Sequence, residues 1–159
     1  MFFSKLFETS PKSLLTSKLF DEITFYDTFI KDLKRCEEEV IIESPYIACL
    51  RMKSLDPIFQ KLVKKGIKVY VITRNPIEHS ESLAKQAELE ISIFEEYDVQ
   101  VLLCRGNHHR KLAIIDRQIL WEGSLNILSQ GNSREIMRRI ESYELTMQMF
   151  KFLKLERVL

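Results

Sequence analysis

Four polar residues between positions 109 and 126 have types and spacings suited to phosphate chemistry. His109 and Lys111 are two residues apart, and so are Ser124 and Asn126. Residues two apart on a strand point to the same face, so each pair would project together, and a hairpin would bring the two pairs side by side. Lysine, serine and asparagine donate hydrogen bonds to phosphate oxygens, and a neutral imidazole attacks phosphorus or moves a proton near pH 7. The spacing therefore predicts a site that binds and attacks a phosphoryl group.

Each of these residues alone has a simpler interpretation. A histidine followed by Arg110 and Lys111 is more often a solvated basic strand end. Asp116 is most simply a residue of a hairpin turn, and Gly123-Ser124 fits an ordinary turn. The combination at fixed spacing is what favours the chemical interpretation.

The elements that would position these residues follow from apolar periodicity. In the first two thirds of the chain, helical and strand patterns alternate. The expected elements are a helix from Asp21, a buried strand at residues 40–42, a helix starting at Pro57 with Asp56 as its cap, a strand at 67–73, a helix at about 80–97 and a strand at 99–103. Such alternation predicts a mostly parallel sheet with helices on both faces.

The pattern changes after residue 103. Apolar runs at residues 112–115 and 119–121 predict a hairpin, residues 136–140 favour a strand over a short helix, and residues 142–153 predict a last helix. We therefore expect an α/β fold with a mixed, mostly parallel sheet and a C-terminal hairpin that carries the candidate residues. Residues 1–18 are expected to form an N-terminal arm that packs on its own domain or on a partner, and residues 19–159 one catalytic domain.

Composition excludes several classes of protein. The 159 residues carry 24 Lys and Arg against 23 Asp and Glu, which excludes histone-like binders and acidic disordered chains but not a local basic patch. The three scattered cysteines, Cys36, Cys49 and Cys104, form neither a disulfide framework nor a zinc motif, so we expect buried or half-buried thiols and no metal. No leader peptide or membrane helix is recognisable, which predicts a cytoplasmic protein that does not bind membranes.

The motif as a whole resembles the signature of the phospholipase D superfamily. The pattern His-x-Lys-x4-Asp at residues 109–116 is followed by Gly-Ser-x-Asn at residues 123–126, with no insertion in either spacing. The buried strand that ends in Ser-Pro-Tyr at residues 44–46 also resembles that fold, as does the alternation of helices and strands up to residue 103. The resemblance covers roughly residues 20–155.

The resemblance implies a metal-independent, cofactor-free phosphodiesterase that forms a covalent phosphohistidine. A complete site of this family uses two copies of the motif about a two-fold axis. One histidine is the nucleophile, and the other protonates the leaving oxygen and then activates water. On this basis His109 is catalytic, and Lys111 and Asn126 hold phosphate oxygens. Asp116 and Gly123 are structural, with Asp116 fixing the loop and the site entrance.

The chain contains a single copy of the motif, because neither His79 nor His108 begins another. The resemblance therefore implies a homodimer with both His109 side chains near the two-fold axis. We expect a largely apolar interface that draws on the hairpin near Trp121 and on the loop around Tyr46. Trp121 itself is expected to pack at this interface or in the core, and not to stack on a base. Small single-motif members of the superfamily are nucleases, or nuclease domains of restriction and helicase-linked proteins. A DNA endonuclease, alone or within a DNA-processing system, is therefore the first hypothesis.

Several residues outside the motif have predicted auxiliary roles. In nuclease relatives a glutamate after the Gly-Ser-x-Asn segment hydrogen-bonds the catalytic histidine, so Glu135 is expected to orient His109. A surface glutamate paired with Arg138 or Arg139 is the alternative. Three arginines are expected to contact nucleic-acid phosphates: Arg105, Arg110 and Arg134. For Arg138 and Arg139, a phosphate-binding track and a solvated face both stay open.

Two alternative functions remain at this point. A phospholipid hydrolase or phosphatidyltransferase would use the same chemistry, but it would be expected to carry a membrane anchor or a basic amphipathic helix. A catalytically silent dimer that only binds nucleic acid is disfavoured, because it has no need for an intact set of His109, Lys111, Ser124 and Asn126. Assays on DNA and phospholipid in parallel distinguish the three.

Overall fold

A computed structural model of the protein describes residues 17–159, which form a seven-stranded sheet with helices on both faces. The strands are β1 (Ser17–Asp21), β2 (Glu39–Glu43), β3 (Lys68–Arg74), β4 (Gln100–Cys104), β5 (Leu112–Ile115), β6 (Ile119–Gly123) and β7 (Ile136–Glu141). The α-helices are α1 (Phe25–Arg35), α2 (Cys49–Lys64), α3 (Glu81–Glu96) and α4 (Tyr143–Phe152), and short 3-10 turns span Pro76–Glu78 and Leu155–Arg157.

The strands are ordered β1-β7-β6-β5-β2-β3-β4 across the sheet. β2, β3 and β4 are parallel, whereas the four other pairings within residues 17–159 are antiparallel. The mixed sheet and the β5–β6 hairpin are confirmed, but the parallel part is smaller than expected. The tight turn between β5 and β6 permits only antiparallel pairing, and β1 and β7 add antiparallel neighbours on the same side.

The sheet buries a hydrophobic core on each face. On one face α1, α2 and α3 each contribute a phenylalanine with no solvent exposure: Phe29, Phe59 and Phe94. The opposite face packs against α4, whose Phe150 lies in a cluster with Ile41 of β2. Burial of one such side chain contributes about 1.5–3 kcal/mol, so both helical layers stabilise the sheet. None of the helices within residues 17–159 is long and apolar enough to cross a membrane.

The helix α2 begins at Cys49 and not at Pro57 with Asp56 as its cap, so that prediction is wrong. Pro57 lies inside the helix, where it removes one main-chain hydrogen bond. Met52 and Leu55, on the turns before the proline, have no solvent exposure. Because these residues are buried, the helix starts about two turns earlier than local sequence preferences predict.

The N-terminal elements differ from the predicted boundaries. The first two residues of β1 had been assigned to the arm, and the rest of the arm, residues 1–16, lies outside the described residues. Helix α1 begins at Phe25 and not at Asp21. The Asp21 carboxylate accepts a hydrogen bond from the N–H of Thr24 at 2.9 Å, which closes a turn after β1 and delays the helix.

Trp121 and Arg139 belong to the interior. Trp121 has no solvent exposure, its ring packs edge-on against Phe25 at 5.0 Å, and its Nε1 donates to Asp32 at 2.9 Å. Arg139 donates to the same carboxylate at 2.7 and 3.0 Å. Core packing, one of the two roles expected for Trp121, is therefore confirmed, and the dimer interface is excluded. Arg139 belongs neither to a phosphate-binding track nor to a solvated face.

Candidate active site

The predicted site residues lie together at one edge of the sheet. His109 and Lys111 precede β5. Ser124 and Asn126 follow β6, and Glu135 directly precedes β7. Because these strands are antiparallel neighbours, the start of β5, the end of β6 and the start of β7 share that edge. All five side chains line one open groove of about 1010 Å³.

Lys111 contacts His109 within this groove. Its Nζ lies 2.8 Å from Nδ1 of His109 and donates to the carbonyl oxygen of the same residue at 2.6 Å. An ammonium group only donates, so Nδ1 accepts, and a neutral ring carries its proton on Nε2. The imidazole and the positive charge therefore form one unit that faces the groove.

The electrostatics of Lys111 favour an anion. Burial lowers the pKa of its ammonium below the ordinary value, and the nearby Glu135 carboxylate only partly opposes this effect. A partly desolvated cation gains more from contact with an anion than a solvated cation does. A phosphate bound in the groove would lie beside both the ammonium and the imidazole.

Glu135 lines the groove but does not orient His109 directly. Its Oε1 accepts a hydrogen bond from Oγ of Ser133 at 2.8 Å. The expected contact with the ring is wrong for this arrangement, because the ammonium of Lys111 occupies Nδ1. The influence of Glu135 on the site is instead its charge, which raises the pKa of Lys111.

Gly123 brings Ser124 to the groove. A Cβ atom on Gly123 would lie 2.1 Å from the carbonyl oxygen of Ile136 and 2.9 Å from Cα of Met137, so only glycine fits between β6 and β7. Ser124 donates its N–H to the carbonyl of Ile136 at 2.9 Å and accepts the N–H of Ile136 on Oγ at 3.0 Å. The hydroxyl proton of Ser124 stays available to an oxygen of a substrate.

Asn126 is positioned by a buried segment. Its neighbours Leu125, Ile127 and Leu128 have no solvent exposure, and the N–H of Leu128 donates to Oγ of Ser44 at 3.1 Å. The Oδ1 atom of Asn126 is buried and has no hydrogen-bond partner within residues 17–159. Its amide can therefore reorient towards a ligand without losing a protein contact at that oxygen.

Asp116 lies at the opposite end of β5 from His109, and the expected position at the site entrance is wrong. Its carboxylate accepts hydrogen bonds from the N–H groups of residues 37–39 at 2.9, 2.8 and 3.0 Å. Asp116 and Arg117 have φ angles of 49° and 54°, which the tight turn of the hairpin requires. Asp116 thus joins this turn to the loop before β2.

The three arginines predicted to contact nucleic acid are placed differently from one another. Arg105 and Arg134 are exposed but do not line the groove. Arg110 lines the groove, yet its guanidinium is bound to Glu43 and is partly neutralised. Arg138, whose role the sequence left open, is exposed and lines the groove. Arg138 therefore adds positive charge beside the predicted catalytic residues.

Two features of the groove were not predicted. Glu43 has no solvent exposure, because strand alternation places it on the same face as the buried Ile41. A charged side chain at such a position indicates a buried partner. Exposed apolar side chains also border the groove: Leu19, Ile136 and Phe152 are 62%, 61% and 79% exposed. We refer to these three residues as the apolar rim.

Two acidic side chains near the groove are engaged with separate partners. Glu43 binds Arg110, and Glu135 accepts from Ser133. Within residues 17–159, no group of three His, Cys, Asp or Glu side chains is close enough together to hold a metal ion.

Comparison with known proteins identifies the fold. Curated protein sequences give no match, but solved structures do. NucT from Helicobacter pylori has a TM-score of 0.71 at 18% identity, over 87% of this chain and 92% of that one. Nuc from Salmonella typhimurium, a phospholipase D family member, has a TM-score of 0.66 at 11% identity, over 87% and 91%. Phosphatidylserine synthase from Haemophilus influenzae has a TM-score of 0.63 at 16% identity, over 89% of this chain and 38% of that one.

The family follows from the sequence match. At the identities above, likeness to solved structures concerns the fold alone. The family model described as "Cardiolipin synthase, PLD-like domain" matches residues 29–154. This range includes all five predicted site residues that line the groove, from His109 to Glu135. This chain therefore belongs to the phospholipase D superfamily.

Proposed function

We propose that this protein is a metal-independent phosphodiesterase that cleaves DNA through a covalent intermediate on His109. The observation that carries the proposal is the convergence of an imidazole, an ammonium, a hydroxyl and a carboxamide group on one open groove. Together these groups bind a phosphate and attack it, which is the chemistry of the phospholipase D superfamily.

In the proposed reaction, the phosphate draws Lys111 away from the ring. The ammonium then donates to a non-bridging oxygen, together with Ser124 and Asn126, and stabilises the charge that develops there. A ring nitrogen of His109 attacks phosphorus, an N–P bond forms and the bond to the leaving oxygen breaks. The leaving oxygen takes a proton from an acid, and water then cleaves the phosphohistidine and restores the free ring.

The acid is proposed to be His109 of a second copy of the chain. His108 does not serve, because its side chain is only 8% exposed and its Nε2 lies 3.4 Å from Oε2 of Glu43. The apolar rim borders the groove, and exposed apolar surface of this kind suits burial against another chain. A two-fold axis at the groove would bring one His109 from each chain to a single phosphate.

Two observations support DNA as the substrate class. NucT and Nuc are covered over 92% and 91% of their own length, so this chain is of a similar size to them. The small single-motif members that it resembles are nucleases. Arg138 also adds a positive charge beside the groove, and such charges bind the phosphate backbone independently of base sequence.

The test is product analysis in the presence of EDTA. We expect cleavage of single- or double-stranded DNA and of bis(p-nitrophenyl) phosphate, because no step of the proposed reaction requires a metal ion. The variant His109→Ala should lose activity by about 10⁴-fold or more while its circular dichroism and thermal unfolding stay unchanged. A labelled substrate should remain attached to the wild type after denaturation, and not to this variant.

The variant His79→Ala is the matched control, since it removes a histidine outside the groove. Activity of His109→Ala within about tenfold of the wild type contradicts the proposal. So does inhibition by EDTA that Mg²⁺ reverses.

A phospholipid hydrolase or phosphatidyltransferase is the second candidate. The apolar rim favours it, because Leu19, Ile136 and Phe152 could contact acyl chains beside the phosphate. An assay of phosphatidylglycerol vesicles, run in parallel with DNA, measures release or exchange of the headgroup. It distinguishes the lipid enzyme from the nuclease. Turnover of the lipid with no cleavage of DNA would replace the first candidate by the second.

A further inference from the structure

The residue proposed as nucleophile lies in a segment without helix or strand. Residues 105–111 connect β4 to β5, so the backbone position from which the His109 ring projects depends on contacts made by the neighbouring residues. The first half of this segment is held by Glu78, whose carboxylate accepts the N–H groups of Gly106 at 2.8 Å and Asn107 at 3.3 Å. These contacts end two residues before His109.

The second half of the segment is held by Glu43, at the end of β2. Arg110 donates to Glu43 from Nε at 2.7 Å and from Nη2 at 3.3 Å, a two-point contact that restricts rotation. His108 packs against the same carboxylate, with its Nε2 3.4 Å from Oε2. The residues on both sides of His109 therefore contact one carboxylate.

The buried position of Glu43 keeps its carboxylate paired with Arg110. The side chain has no solvent exposure, and β2 holds it rigidly opposite Leu112, the first residue of β5. Burial raises the pKa of Glu43, and the guanidinium of Arg110 opposes this effect by stabilising the ionised form. A buried carboxylate without its partner is strongly unfavourable, so Glu43 and Arg110 stay together.

We propose that Glu43 is a positioning residue that sets the orientation of His109 by fixing His108 and Arg110 on either side of it. It does not touch the substrate and acts through the backbone of the segment. The kinetic test of this inference rests on the proposed function, whereas a spectroscopic test does not.

The chain contains a matched control on the same strand. Glu39 lies at the other end of β2 and pairs with Arg117 at 2.5 Å, just as Glu43 pairs with Arg110. Arg110 lies before the first residue of β5, and Arg117 lies after its last residue. Glu39→Gln therefore removes the same kind of ion pair from the same strand, away from the groove.

The kinetic experiment compares the two variants on bis(p-nitrophenyl) phosphate. Glu43→Gln should lower kcat by about tenfold or more and change KM by less than about threefold, because orientation affects attack more than binding. Arg110→Gln should have the same effect, and the double variant should be no worse than either single one. Glu39→Gln should retain its kcat within about twofold. Equal losses in Glu43→Gln and Glu39→Gln overturn the inference.

The spectroscopic experiment uses the full chain labelled with ¹⁵N-histidine. The protein has three histidines, so substitution of each by glutamine assigns the ring signals. Glu43→Gln should shift the ring signals of His109, and Glu39→Gln should leave them in place. Unshifted His109 signals in Glu43→Gln overturn the inference even if the wild type cleaves no phosphodiester, a result that would contradict the proposed function alone. If Glu43→Gln does not fold, Arg110→Lys, which keeps a positive charge beside Glu43 but loses the two-point contact, carries the same expectation.

Discussion

In the proposed reaction, the contact between Lys111 and His109 controls both phosphate binding and the availability of the imidazole. The ammonium lies 2.8 Å from Nδ1, so an incoming phosphate and the ring compete for the same donor. Burial lowers the pKa of Lys111, which makes its ammonium form less favourable until an anion arrives. Binding of a phosphate oxygen would therefore both stabilise the charge and release the ring for attack.

Replacing Lys111 by methionine removes this charge while keeping an apolar side chain of similar length. We expect kcat/KM to fall by about 30- to 1000-fold, equivalent to the roughly 2–4 kcal/mol that one donor aimed at a developing charge supplies. Inhibition by vanadate should weaken in parallel. Lys85→Met, on the exposed face of α3, is the control and should behave as the wild type. If vanadate inhibits both variants equally, Lys111 is not in the anion site.

The hairpin that carries the motif is fixed at the end far from the groove. The Asp116 carboxylate accepts three backbone N–H groups from residues 37–39, and Cys36 Sγ lies 3.2 Å from Oδ1. Burial of this carboxylate disfavours its charge, but the hydrogen bonds outweigh that effect and lower its pKa. A depressed pKa in the folded state means that ionisation of Asp116 stabilises the fold.

Asp116→Asn should destabilise the protein by about 1–2 kcal/mol at pH 7, a value reduced for the partial exposure of the side chain. The difference from the wild type should be constant between about pH 5 and 8. It should shrink as the pH falls below about 4, because the unfolded chain takes up a proton at Asp116 there while the folded protein still keeps it ionised. Urea unfolding at several pH values measures it. A large loss of kcat in the folded variant would instead place Asp116 in the reaction.

The interface between α2 and α3 contains two carboxyl groups that have no basic partner among residues 17–159. Burial raises the pKa of Glu90 and of Asp56, and Asp56 accepts a hydrogen bond from the hydroxyl of Tyr97 at 2.7 Å. Raised pKa values in the folded state mean that these groups oppose folding when ionised. Their unfavourable contribution therefore decreases as the pH falls through the raised pKa values.

Glu90→Gln should stabilise the protein at pH 8 by about 1 kcal/mol, and the gain should shrink as the pH falls towards about 5. Glu88→Gln, on the exposed side of the same helix, should have little effect at either pH. Urea unfolding at both pH values measures the two variants. A gain for Glu90→Gln that is independent of pH would contradict the explanation by ionisation.

The whole molecule is expected to work as a dimer in which each site needs His109 from both chains. Wild type co-expressed with an excess of His109→Ala should then lose activity per wild-type chain, because mixed dimers have one imidazole at each site. Co-expression with Lys85→Met, whose chains are themselves active, should leave the activity per total chain unchanged. Constant activity per wild-type chain in the first mixture, or a fully active monomer by light scattering, contradicts the shared site.

The same model predicts that the apolar rim contributes to association. Phe152→Asp should shift the dimer towards monomer and lower activity in the same proportion. Leu50→Asp is a matched control, since Leu50 is 78% exposed and Phe152 is 79% exposed, and Leu50 lies outside the groove. Sedimentation velocity measures both variants. A Phe152→Asp protein that dimerises like the wild type would exclude this surface from the interface.

The sequence by itself determined the family, the mixed sheet and the five residues that meet in the groove. His109, Lys111, Ser124 and Asn126 flank a single hairpin, so the period-two alternation of strands and one tight turn are enough to bring them together. Helices on both faces followed from apolar spacing for the same reason. The hairpin and the pairing of its polar residues need only the local geometry of the backbone, whereas the family and the role considered for Glu135 came from the resemblance of the motif.

Only the tertiary structure decided the contacts between distant parts of the chain. Glu43 meets Arg110 across 67 residues, and Asp116 meets Glu38 across 78. These pairs depend on β2 lying beside β5, and therefore on the order of strands in the sheet, which no local pattern specifies. The interior position of Pro57 has the same origin. Burial of the preceding turns of α2 outweighed the local preference of proline for a helix start, because packing free energies exceed propensity differences.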